Sequence, residues 1–344
     1  MLTLVFRCLR QLHLFAAVLC GLLLATAVLA QGTLEKIRVA GPSLQGNLAG
    51  DDAVRDVHVY LPAGYAAGNK RYPVVYFLHG YGVGADVYAG PRVLNLPTSA
   101  DQAIAAGAQE AIIVMPDAYT VYGGSMYSNS PTTGDWESFV AQDLVSYIDS
   151  HYRTLATRAS RGLAGHSMGG YGTLRIGMKH PELYGALYAM SSCCLMNQAP
   201  NAQAVTLQMQ RLADGSVKTG KGFENAPLAQ LAAWSPNPQN APSYLEWPYV
   251  NGEAQPVVQA RWPANSPLVF VDQYVTALQQ YKAIMLDVGD KDSLATTNSQ
   301  MDAALTRLGI AHAFEVYEGD HGNRVGQRFI DKLLPFFSQH LTAE

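Results

Sequence analysis

The sequence predicts an α/β fold, a mostly parallel central sheet with helices on both faces. Short apolar runs recur along the chain and alternate with stretches of helical spacing. Several of those runs are apolar at every position, as strands covered on both faces are. The 344 residues show balanced composition and no block of one charge sign, which reads as one large domain over residues 31–344. A chain of this length buries a sizeable core without a disulfide or metal staple.

Taken in order, residues 1–30 read as a signal peptide. Arg7 and Arg10 form a basic start, Leu14 to Leu29 an apolar stretch, and Val28-Leu29-Ala30 precedes a cut at Gln31. The alternative is an uncleaved anchor, but the run falls short of the roughly 20 apolar residues that cross a bilayer. Leu19 before Cys20 is not the small residue that lipid attachment favours. The expectation is an exported protein, periplasmic or secreted, with no stable membrane anchor after cleavage. Losing Arg7 and Arg10 and no acid takes 23 basic residues to 21 against 27 acidic ones, a net −6. With no basic run or stripe, nucleic acid is not an expected partner.

Val57–Leu61 alternates and ends at a proline, and Val74–Leu78 is continuously apolar. Ala111–Met115, Gly162–Ala164, Ala186–Met190, Ala283–Val288 and His312–Tyr317 follow as further strands. Phe139, Val140, Leu144, Tyr147 and Ile148 keep helical spacing after a polar start at Asp135. A second helix runs from about Ser167 to Lys179, stopped by Pro181, and a third begins at Val325 with Phe329, Ile330, Leu333 and Leu334 on one stripe. From Asn197 to Pro267 periodicity is weak and Pro, Asn and Trp are frequent. Such a stretch before the penultimate strand reads as a lid-like insertion over the sheet's active edge, because Trp234, Trp247 and Trp262 are costly to leave wet.

Gly165-His166-Ser167-Met168-Gly169-Gly170 matches G-x-S-x-G between a strand and a helix. That setting is a nucleophile elbow, in which glycines let the chain pass a strained serine without Cβ clashes. A serine hydroxyl needs a base to take its proton. His321 sits in a turn after the last strand, where that base belongs. Asp287, Asp290 and Asp292 compete to orient it. Asp292 is preferred because it lies in the turn opening at Gly289, with Asp290 next, and the acids not used are expected to be solvated or to cap the helix near Asn298. Two backbone N–H groups are expected to form an oxyanion hole: Met168, directly after the serine, and Tyr81, in the glycine-rich loop after Val74–Leu78. His79 suits a hydrogen bond within that loop.

Gly80-Tyr81-Gly82-Val83-Gly84-Ala85 also satisfies a dinucleotide pattern, with Asp101 about twenty residues on. Pro91 and Pro97 interrupt the helix this pattern should open, so no nucleotide is expected. No C-x-x-C pair and no cluster with zinc spacing occurs, and neither metal nor cofactor is expected. Cys8 and Cys20 leave with the leader. The adjacent Cys193-Cys194 pair is either two buried thiols or a strained bond.

Tyr76-Phe77-Leu78-His79-Gly80, Asp135-Trp136-Glu137-Ser138-Phe139, Gly165–Gly172, Gly289–Asp292 and Gly319–His321 together resemble the putative-esterase family of α/β hydrolases. That family includes esterase D, formylglutathione hydrolases, feruloyl esterases and bacterial mycolyltransferases. The resemblance implies the α/β-hydrolase fold and a serine carboxylic-ester hydrolase. It implies Ser167 as nucleophile, His321 as base, Asp292 as acid, and Tyr81 and Met168 as oxyanion donors. It also implies that Trp136 lines the approach to the site, although core packing at the helix start suits that residue equally. The substrate implied is a small-molecule or carbohydrate-linked ester, of a small acyl or feruloyl type. Two rivals stay open: acyl transfer to a sugar or lipid alcohol, and a non-catalytic secreted binding protein on the same scaffold.

Overall fold

The computed structural model describes residues 31–219 and 223–344, and the expected leader, residues 1–30, lies outside the described residues. Gly32–Glu344 forms one compact unit. Its centre is an eight-stranded sheet of β1 (Thr33–Ala40), β2 (Val54–Leu61), β3 (Val74–Leu78), β4 (Ile112–Pro116), β5 (Arg161–His166), β6 (Ala186–Met190), β7 (Ala283–Gly289) and β8 (Ala313–Tyr317). The spatial order is β1-β2-β4-β3-β5-β6-β7-β8. β2 is antiparallel to both β1 and β4, and the other neighbours are parallel. The mostly parallel sheet expected from the sequence is therefore present, with β2 running against the rest and β1 paired to it at the edge.

β3 shows why its sequence is apolar throughout. Val74, Tyr76 and Leu78 face one core and Val75 and Phe77 the other, as a period of two requires. All five side chains are buried, each contributing roughly 1.5–3 kcal/mol relative to exposure. One face is covered by the Met168–Lys179 helix, whose residues Met168 through Met178 are all buried. Its Arg175 survives burial because Glu137 lies 2.9 Å away, with Lys179 2.8 Å from the same carboxylate. The other face is covered by Leu96–Ala105 and by the C-terminal Val325–His340 segment, which packs Phe329, Leu333 and Phe337. A π-helical turn, Phe329–Leu333, sits inside that last segment, and another, Phe139–Asp143, follows Trp136–Ser138.

The insertion holds more regular structure than its weak periodicity suggests. It contains helices Ala202–Ala213, Ala226–Trp234 and Pro256–Ala264 and the short strand pair Tyr249–Val250 and Glu253–Ala254. Asn201 caps the first helix by accepting the Ala204 N–H at 2.9 Å. Trp234 meets Trp262 edge-to-face at 5.5 Å and Tyr171 at 5.8 Å, and the Tyr171 hydroxyl donates to the Asn265 carbonyl at 2.9 Å. These contacts pin the insertion onto the helix that starts at the elbow.

Candidate active site

The site forms at the carboxyl ends of β3, β5, β7 and β8, where parallel strands leave their loops side by side. Main-chain bonds tie those ends together. The Ser167 N–H donates to the Met190 carbonyl at 3.0 Å, Ser191 N–H to Asp287 at 2.7 Å, and Asp290 N–H to Tyr317 at 2.8 Å. Gly289 must be glycine, because a Cβ there would lie 2.3 Å from the Gly319 carbonyl oxygen. The loops carrying the acid and the histidine therefore touch backbone to backbone.

At the end of β5, Ser167 adopts φ +59°, a left-handed conformation rare for a residue with a side chain. The turn closes only with glycine on both sides: a Cβ on Gly169 would fall 1.8 Å from the Leu78 carbonyl oxygen, and one on Gly165 2.4 Å from Gly169. The Ser167 hydroxyl donates to Nε2 of His321 at 2.9 Å, and Nδ1–H of His321 donates to Oδ2 of Asp292 at 2.8 Å. Burial pushes the Asp292 carboxyl up, but hydrogen bonds from His321, the Leu294 amide and Ser191 outweigh it and hold the group below its ordinary value. An ionised Asp292 fixes the tautomer that leaves Nε2 free to accept a proton.

The structure thus brings together Ser167, Asp292 and His321. Of the acids passed over, Asp290 is exposed to solvent as expected, whereas Asp287 is fully buried and caps no helix, a correction to the sequence expectation. Asp287 is buried against Arg328 at 2.7 Å and the Tyr188 hydroxyl at 2.7 Å, and Asp290 accepts the Gly319 N–H at 2.9 Å. Strand pleating turns Asp287 toward the sheet face that Arg328 covers, and Asp290 clamps the two loops.

The loop after β3 presses on the serine, since a Cβ on Gly80 would lie 3.3 Å from Cβ of Ser167. Neither the Tyr81 nor the Met168 N–H has a hydrogen-bond acceptor among the described residues. Two unpaired donors beside one hydroxyl can receive a developing oxyanion. His79 holds this loop as expected: its Nδ1–H donates to the Gly80 carbonyl at 2.7 Å, and its Nε2 accepts the Ala118 N–H at 2.8 Å. Trp136 is not brought to the site. It is 1% exposed, packs edge-on against Phe139 and donates to the Thr133 carbonyl at 2.8 Å. Its place is the core, because the helix start turns the indole inward.

Sequence reasoning missed a layer beneath His321. Nε2–H of His166 donates to the His321 carbonyl at 2.8 Å, Nδ1 of His166 accepts the Tyr88 hydroxyl at 2.8 Å, and the two imidazole rings lie 4.7 Å apart. Burial, then the nearby His321, lowers the His166 pKa to about 3, so it stays neutral. The signal was the second residue of Gly165-His166-Ser167, which the motif leaves unspecified.

Ser167 and His321 open into a cavity of about 510 Å³. Met126, Leu195, Phe223, Ala226 and Leu294 make it mainly apolar, and Cys193, Cys194 and Gln230 also line it. Among its described lining residues there is no Lys, Arg, Asp or Glu. Phe223 stacks on Tyr81 at 5.9 Å, so the insertion forms one wall. No cluster of His, Cys, Asp or Glu able to hold a metal occurs among the described residues.

The family model described as putative esterase matches residues 52–336. An esterase of Mycobacterium tuberculosis is 35% identical over 142 residues, which is 40% of this chain and 28% of that protein. The endo-1,4-beta-xylanase/feruloyl esterase of Xylanibacter ruminicola is 30% identical over 138 residues, 38% of this chain and 19% of that protein. The chain thus matches less than a third of the length of either relative. Among solved structures, a ferulic acid esterase superposes with a TM-score of 0.65 at 23% identity, covering 91% of this chain and 99% of that one. At that identity the likeness speaks for the fold, the α/β-hydrolase arrangement.

Proposed function

The chain belongs to the putative-esterase family, and from that membership we propose that it is an exported serine carboxylic-ester hydrolase working through an acyl-enzyme on Ser167. The observation that carries the reading is the unbroken chain of hydrogen bonds from Ser167 through His321 to Asp292, at 2.9 and 2.8 Å, opening onto a cavity. In the first step His321 takes the Ser167 proton as its oxygen attacks the ester carbonyl. The Tyr81 and Met168 amides receive the oxyanion, and the imidazolium returns its proton to the leaving alcohol. In the second step His321 deprotonates water, which attacks the acyl group, and Ser167 is restored.

The apolar, uncharged lining favours a neutral acyl group of small or feruloyl type, since an acyl chain bearing its own carboxylate would meet no cation there. Export is supported by the leader-like sequence of residues 1–30 and by the first strand among the described residues, which starts at Thr33. A secreted form whose first residue is Gln31 is the check on that part.

The Ser167→Ala protein tests the chemistry. Its kcat on an activated ester should fall by roughly three or more orders of magnitude, and a fluorophosphonate should no longer label the folded chain. Retained turnover would overturn the assignment. Running the wild-type reaction with added alcohols reads hydrolysis against acyl transfer, and free acid should dominate the products.

A further inference from the structure

We propose that Cys193 and Cys194 form a reversible oxidation site whose state sets the acyl preference of the cavity, a reading that rests on Ser167 being the nucleophile of an ester hydrolase. Both residues line the cavity that Ser167 and His321 open into, and both are free thiols, half-buried. The two are neighbours in sequence, so their sulfurs hang from adjacent Cα atoms. Contact with Cys194 and burial push the Cys193 thiol up, so it rests protonated.

The pair is wired to the nucleophile through the main chain. The Cys193 N–H donates to the carbonyl of Ser167 at 3.1 Å. The Cys194 carbonyl accepts Nδ2–H of Asn197 at 2.7 Å, and its sulfur takes Nε2–H of Gln230 at 3.6 Å. Asn197 and Gln230 are themselves cavity residues. Cys194 stands at φ +59°, outside the regions a side chain prefers.

Adjacent Cα atoms are about 3.8 Å apart, closer than the usual disulfide range of about 4.4–6.8 Å. A bond between neighbours therefore forms a tight ring, is strained and is easily reduced, as regulatory disulfides are. Ring closure needs new torsions at residues 193 and 194. Asn197, Gln230 and both sulfurs would shift with them, reshaping the acyl wall, while the His321–Asp292 pair sits on other loops and stays.

The oxidant is a low-molecular-weight disulfide or a protein dithiol oxidase. Cys194 loses its proton and attacks the oxidant's S–S bond, one thiol leaves, and a mixed disulfide remains. Cys193 then loses its proton and attacks the Cys194 sulfur, releasing the second thiol. Two protein thiols are oxidised and one disulfide is reduced.

The experiment takes the chain as secreted, fully reduced or treated with oxidised glutathione, and measures kcat/KM on p-nitrophenyl acetate and octanoate. Peptide mass spectrometry follows the 193–194 segment. Oxidation should make that peptide two hydrogens lighter and change the octanoate-to-acetate ratio by about fivefold or more. Reductant should restore it, and the Cys194→Ser variant should give one ratio under both conditions. A peptide that never loses its hydrogens, a disulfide-linked dimer instead, or a closed ring with the ratio unchanged would each overturn the proposal. Turnover by the reduced protein reads the esterase assignment separately, so failure there is distinguishable from failure of the switch.

Discussion

At the scale of single residues, the site depends on groups that each hold one other group in place. Asp292→Asn keeps the shape but loses the charge that favours Nδ1–H on His321. Turnover should drop by about 10⁴ in steady-state assays, with KM little changed. Asp290→Asn should spare most of the rate, because its carboxylate contacts the Gly319 amide and not the imidazole. A comparable loss in both variants would exchange the two roles.

His166 makes a second residue-scale claim, about pH. Its folded value near 3 lies below the ordinary 6.5, so between those two values the unfolded chain binds a proton that the folded chain refuses. The stability linked to His166 is complete above about pH 6.5 and is lost as pH falls toward 3. At about 1.4 kcal/mol per unit over that interval, the loss is on the order of 5 kcal/mol. His166→Gln removes that titration. Denaturant unfolding between pH 4 and 7 should show a shallower slope by roughly one proton than in the wild type. Equal slopes would count against a neutral buried imidazole. Ser167 and His321 were legible because a motif and its order along the chain announce them. Tyr88 and His166 were not, since 78 residues separate partners that meet only after folding.

Among the elements, the elbow leaves least freedom. Gly169→Ala places a methyl 1.8 Å from the Leu78 carbonyl oxygen, a backbone atom that cannot swing aside. Thermal unfolding should show a loss of about 3 kcal/mol or more, or no folded protein. Gly68→Ala is the control: its nearest neighbours would be 3.6 Å away, so its effect should stay within about 0.5 kcal/mol. Matching losses would mean the elbow can relax. Strands such as β3 were readable because burial on both faces writes an uninterrupted apolar run. β1 was not, because Glu35, Lys36 and Arg38 give an edge strand the polarity of a loop, which also protects that edge from pairing with another chain. The insertion's helices stayed hidden for a related reason: Trp234 and Trp262 pack against each other, and Trp234 also against Tyr171 of a distant element, so they obey no local period.

On the scale of the whole molecule, the sheet divides the site unequally. Ser167 follows β5, whose six residues are all buried, whereas His321 follows β8, an outermost strand with Val316 50% exposed. Hydrogen exchange should release the amides of Ala313–Tyr317 well before those of Arg161–His166, and equal protection would argue against the division.

That asymmetry gives warming a direction. The rim that carries the imidazole can fray while the middle of the sheet still holds the serine. The protein would then fall silent toward its ester before its far-ultraviolet signal moves, and cooling would revive it without refolding the barrier-bound centre.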